Sequence, residues 1–166
     1  MNYKSTVELT FPDGLKRPFS MGVSGMEIAK SISKSLSKEA VAIEVNGVEL
    51  DLCDKIIKDS NINILTISSE KGLEIMRHTL TAQVLAKAVK NIYPNSKLAI
   101  GPTIENGFYY DFLFEKPISE EDFPKIEKEM KKIISSGAEI KKKLTSKKDA
   151  IDLFKKRNEN YKVDII

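Results

Sequence analysis

KLAIGPTIENGFYYDF, running from Lys97 to Phe112, is the stretch that sets the architecture of the second half of this chain. Gly101-Pro102 interrupts one extended run. Asn106-Gly107 is the strongest short hairpin signal in it, because both central residues of a type I′ turn need positive φ. Phe108, Tyr109, Tyr110 and Phe112 then crowd a single returning strand. Alternation sends Phe108 and Tyr110 to one side and Tyr109 to the other, so at least one phenol faces a cleft or solvent.

Working outward, a helix is expected from Met76 to Tyr93, with Leu80, Val84, Leu85, Ala88, Val89 and Ile92 on its apolar face. Downstream, Ser119 with Asp122 three residues on forms a capping box for a helix ending near Ser135, and Gly137 is its stop. Glu139 to Leu144 reads as a strand, Ser146 to Arg157 as a helix, and Tyr161 to Ile166 as a final strand.

The opening segment carries a different pattern. Val7, Leu9 and Phe11 alternate with polar residues, Pro12-Asp13-Gly14 turns the chain, and Lys16 to Phe19 returns. Ser24 caps a helix expected to reach Leu36, and Val41–Val45, Val48–Leu50 and Ile62–Thr66 supply three more strands, the first two joined by Asn46-Gly47. Strand, strand, helix, strands within about sixty residues describes an α+β roll of β-grasp type. The expected division is therefore a β-grasp domain over 1–67, a polar linker over 68–72 and a second, partial α+β domain over 73–166.

Composition narrows the function classes. The chain has 166 residues, 41% of them apolar, enough for two small cores. It has no run of 18 apolar residues, so no membrane partner is expected, and MNYKSTVELTF lacks an apolar export core. Cys53 stands alone, which fits a reducing, cytoplasmic setting. Net charge is +3, and it is uneven: residues 1–66 hold 8 Lys/Arg and 9 Asp/Glu, the remainder 19 and 15. That bias favours an anionic partner for the second half, or a solvated lysine-rich surface. One His and one Cys cannot build a zinc site, so no metal ligands are assigned, and neither common phosphate-loop motif occurs.

The residues Arg77-His78, Leu85 to Lys90, Tyr93-Pro94, Lys97 to Pro102, Glu105 to Asp111 and Tyr161 to Val163 together resemble the editing domain of bacterial threonyl-tRNA synthetases. Residues 7–66 resemble the small TGS domain that opens those enzymes. The resemblance covers nearly the whole chain but only the front of the family's architecture. It implies ATP-dependent ligation of threonine to its tRNA in the intact enzyme, with hydrolysis of mischarged seryl-tRNA by the editing domain. ATP, magnesium and zinc belong to that intact enzyme, and no cofactor is expected for these residues. The implied partner is threonine-specific tRNA, and an incomplete second domain implies self-association.

The family's editing helix carries His-x-x-x-His, and a gapless register places Gln83 and Lys87 at those two positions. On an ideal helix that pair lies opposite the apolar stripe, as a solvated face or one wall of a cleft, whereas His78 falls within the stripe as a packed residue. The family's later Cys-x-x-x-His segment is not reached before Ile166. His78 is thus the sole histidine candidate for catalysis, Gln83, Lys87, Tyr110 and Lys162 are the editing-pocket candidates, and Lys90, Lys97, Lys141, Lys142 and Lys143 the RNA-contact candidates. Three readings follow: a tRNA-contacting front portion of such a synthetase, inactive alone; a non-catalytic TGS-type interaction module; and a free-standing editing hydrolase.

Overall fold

The computed structural model describes residues 5–166, which divide into two compact units between Met76 and Arg77. Met1 to Lys4, the start of the expected 1–67 domain, lie outside the described residues.

In the first unit, β1 (Thr6–Thr10) turns Val7 and Leu9 inward and pairs antiparallel with β2 (Lys16–Ser20). Its other edge runs parallel to β7 (Ser60–Thr66), which pairs antiparallel with β4 (Ala40–Val45), and β5 (Val48–Leu50) closes the row. The five strands therefore lie in the order β2-β1-β7-β4-β5. Between β4 and β5, Asn46 and Gly47 have φ of 50° and 82°, the paired positive values that a type I′ turn requires.

Helix α1 (Gly25–Ile32) contributes Ile28 to a core with Val7, Leu9, Ile43, Ile56 and Ile62. Two short strands, β3 (Val23–Ser24) and β6 (Lys55–Ile56), pair beside it and were not foreseen from the sequence. The helix expected to reach Leu36 breaks at Ser33, whose extended backbone and hydroxyl cap α2 (Lys34–Glu39) through Leu36 N–H at 3.0 Å. A serine able to bond the backbone ahead of it competes with helix continuation.

Residues 68–72, read as a linker, instead lead into α3 (Glu70–Thr79), and Gly72 N–H donates to Ser69 Oγ at 3.1 Å. The helix continues through a π turn (Leu80–Leu85) into α4 (Ala86–Ile92), with Ala86 N–H bonded to the Thr81 carbonyl five residues back. One extra residue per turn offsets the helix face by about 100° across the insertion. His78 is consequently exposed, not packed within the stripe formed by the residues after it.

The second unit's strands are short. β8 (Lys97–Leu98) pairs with β11 (Phe112–Leu113), and β9 (Thr103–Ile104) with β10 (Gly107–Phe108). Gly107 pairs with Ile104, so the hairpin turns over Glu105-Asn106, and neither Asn106 nor Gly107 has positive φ. The type I′ turn expected at Asn106-Gly107 is therefore replaced by a turn one residue earlier.

The Ser119–Asp122 capping box is present, leading through a single 3₁₀ turn into α5 (Phe123–Ser135). Ile126 of α5 packs on Ala88 and Val89 of α4, with Phe112 and Phe114 at the margin. Residues 139–144 are exposed and outside regular structure, contrary to the strand expected there: a strand needs a ladder partner, and no described strand pairs with them. Helix α6 (Lys147–Lys156) follows, capped by Ser146. The final strand expected over Tyr161–Ile166 is instead helix α7 (Asn160–Ile165), entered through Asn158 at φ 55° and held by Val163 N–H on the Glu159 carbonyl.

Candidate functional site

The second unit brings two of the predicted site residues together. Lys162 Nζ donates to the Ala99 carbonyl at 2.6 Å and stands 5.5 Å from the centre of the Tyr110 ring. Tyr110 stacks on Phe112 with centroids 4.5 Å apart, which fixes the ring that the ammonium faces. Behind it the backbone must come close. A Cβ on Gly101 would lie 2.2 Å from Tyr110 Cδ2 and 2.7 Å from Thr81 Cγ2, so only glycine fits. Lys162 is half-buried against a carbonyl and an aromatic face.

Gln83 and Lys87 are elsewhere. Both are exposed and line a groove of about 310 Å³ with Val84, Ile133, Gly137, Glu139 and Lys141. His78 does not line that groove, and neither do Lys162 and Tyr110, so the editing-pocket candidates fall into two places. A more apolar groove of about 310 Å³ runs between α4 and α5, lined by Leu85, Val89, Phe112, Phe114, Phe123 and Met130 among others. Among the described residues, no three His, Cys, Asp or Glu side chains gather as a metal cluster.

The RNA-contact candidates also separate. Lys90 directs its ammonium inward, donating to the Pro94 and Ser96 carbonyls at 2.8 Å each and pairing with Glu159 Oε1 at 2.8 Å. Lys97 donates to the Asn158 carbonyl at 2.8 Å. Lys90 thus ties the α6–α7 corner to α4, and Lys97 ties it to β8. Lys141, Lys142 and Lys143 are exposed, Lys141 lying 3.5 Å from Glu139.

The buried carboxylate of Glu159 was missed from the sequence, where Asn158-Glu159-Asn160 has the composition of an ordinary loop. A second polar link has no signature in the sequence. Tyr93 Oη donates to Asp122 Oδ1 at 2.7 Å, and that bond raises the phenol above its ordinary pKa. Asp122 is held below the usual carboxylate range by the Ser119 N–H first and by Tyr93 second.

Comparison with known proteins shows what these residues are similar to. Residues 7–66, the five-stranded unit, match the family described as the TGS domain. The chain is 48% identical over 161 residues to threonine–tRNA ligase of Allorhizobium ampelinum, 97% of this chain and 24% of that protein. Similar proteins of the same name come from Francisella philomiragia, 48% identical over 96% of the chain, and Acetivibrio thermocellus, 47% identical over 96%. The chain spans about a quarter of the length of these curated relatives. No helix among the described residues is long and apolar enough to cross a membrane.

Proposed function

We propose that these residues form the front portion of a threonine–tRNA ligase type of protein and that their own role is contact with tRNA, in the cytoplasm. The observation that carries this reading is the near-full-length similarity of the chain to a quarter of proteins named threonine–tRNA ligase. In an intact enzyme of that type the reaction is ATP-dependent joining of threonine to its tRNA, with removal of serine from mischarged tRNA. The ligation is assigned to the remainder of such enzymes, which these residues do not match.

For editing, the Lys162–Tyr110 pair supplies a cation and an aromatic face for a substrate ribose or ester. Gln83 and Lys87 stand in the places where the family has histidines, so the two imidazoles of that motif are not supplied by this helix. The proposed residual activity is therefore binding without ester cleavage.

Filter binding at low salt tests this. The full 166-residue protein should retain tRNA in preference to heparin, with affinity falling steeply as salt rises. Equal retention of both polyanions would leave the second reading, a non-catalytic TGS-type module that docks protein.

A further inference from the structure

The positive charge of this chain is concentrated in one segment. Residues 139–157 carry eight Lys/Arg and three Asp/Glu, whereas the rest of the second unit carries ten of each. The first unit, residues 1–76, holds nine Lys/Arg and eleven Asp/Glu. All of the net +3 of the protein therefore originates in this stretch of nineteen residues, the exposed run before α6 and α6 itself.

The arrangement of the segment is as informative as its composition. Lys148 and Lys155 are both exposed and lie seven residues apart on α6. At helical geometry they are about 20° apart around the axis and about 10 Å apart along it, so they form one row. Lys147 and Lys156 flank that row, and none of these four lysines makes an ion pair among the described residues. Asp149, the acidic residue next to Lys148, is turned to the helix cap, where it accepts from Ser146 Oγ at 2.7 Å.

The segment is also anchored at its end. The α6–α7 corner is tied to the rest of the unit by Glu159, which pairs with Lys90 and accepts Leu98 N–H at 3.1 Å, and by Lys97 on Asn158. Unpaired cations held in a fixed row suit a polyanion with regularly spaced charges, and a nucleic-acid backbone is such a ligand.

We infer that the α6 row, with Lys141 and Lys143 ahead of it, is the surface that takes the phosphate backbone of RNA, and that Lys90 and Lys97 are positioning residues for it. This rests on the tRNA-contact reading above and names its surface. The test compares the full chain with Lys148→Ala/Lys155→Ala and, as a charge-matched control, Lys34→Ala/Lys38→Ala on α2, by filter binding to tRNA over a salt series. The α6 pair should weaken binding by about tenfold at low salt and reduce the slope of log affinity against log salt by about 2, with an unchanged thermal midpoint. The α2 pair should bind as the parent chain does. If the parent binds tRNA preferentially and the α6 pair keeps its affinity and slope, this assignment is wrong while the tRNA reading survives. A parent chain without preference for tRNA removes both. Loss of binding to anionic vesicles, with tRNA binding intact, would transfer the surface to lipid and overturn the assignment.

Discussion

Glu159 Oε1 lies 2.8 Å from Lys90 Nζ, with the glutamate side chain 5% exposed and the lysine 28%. The pair joins α4 to the turn between α6 and α7, two elements nearly seventy residues apart in sequence. Removing Glu159 leaves the half-buried Lys90 ammonium with only the Pro94 and Ser96 carbonyls and no opposite charge. Glu159→Ala should therefore destabilise the second unit by about 3 kcal/mol, the lower end for a broken buried pair because Lys90 is partly solvated. Glu159→Gln, which keeps an oxygen for Leu98 N–H, should cost less, and urea unfolding of the two variants measures the difference.

Gly101→Ala is expected to disturb the Tyr110 stack, since the added carbon would sit 2.2 Å from the ring. Overpacking of this kind costs about 1–3 kcal/mol. Near-ultraviolet circular dichroism should report the altered tyrosine environment, and a lower urea midpoint the strain.

Acid stability depends on the first unit's capping box. The Ser24 hydroxyl bond, then the Ser24 N–H and then the Lys55 ammonium lower the Glu27 carboxyl to about 2 from an ordinary 4.5. A depressed folded pKa stabilises above the unfolded value and is lost as pH falls through the folded one. The contribution is thus complete above about pH 4.5 and disappears toward pH 2. Ser24→Ala should flatten the pH dependence of the thermal midpoint across that window. A curve of parental shape for this variant would contradict the assignment.

The first unit was largely legible because its signals are local. Val7 and Leu9 alternate on β1, Asn46-Gly47 adopts the left-handed pair its composition favours, and Ser24 caps α1 with Glu27. The second unit was less so. Asn106-Gly107 carries the same dipeptide as Asn46-Gly47, yet its strands register one residue earlier, which tertiary pairing decides. A uniform helical wheel placed His78 in the core, but the π turn at Leu80–Leu85 rotates the earlier residues out. Lys90 was read as a surface cation because its partner Glu159 lies in a segment with no periodic signal.

Seryl-tRNA prepared with a separate enzyme provides a check on chemistry. Incubated with this protein, it should deacylate at the rate seen in buffer, and Lys162→Ala should leave that rate unchanged. Deacylation well above buffer that vanishes in Lys162→Ala would restore the hydrolase reading, with the ammonium at Tyr110 as an acting group.

Lysine acetylation with and without tRNA, read by peptide mass spectrometry, tests the account's main claim most directly. Lys148 and Lys155 should react freely in the protein alone and be protected when tRNA is bound, while Lys90 should react poorly in both states. Protection confined to the first unit, or Lys148 and Lys155 reacting equally with and without tRNA, would contradict it.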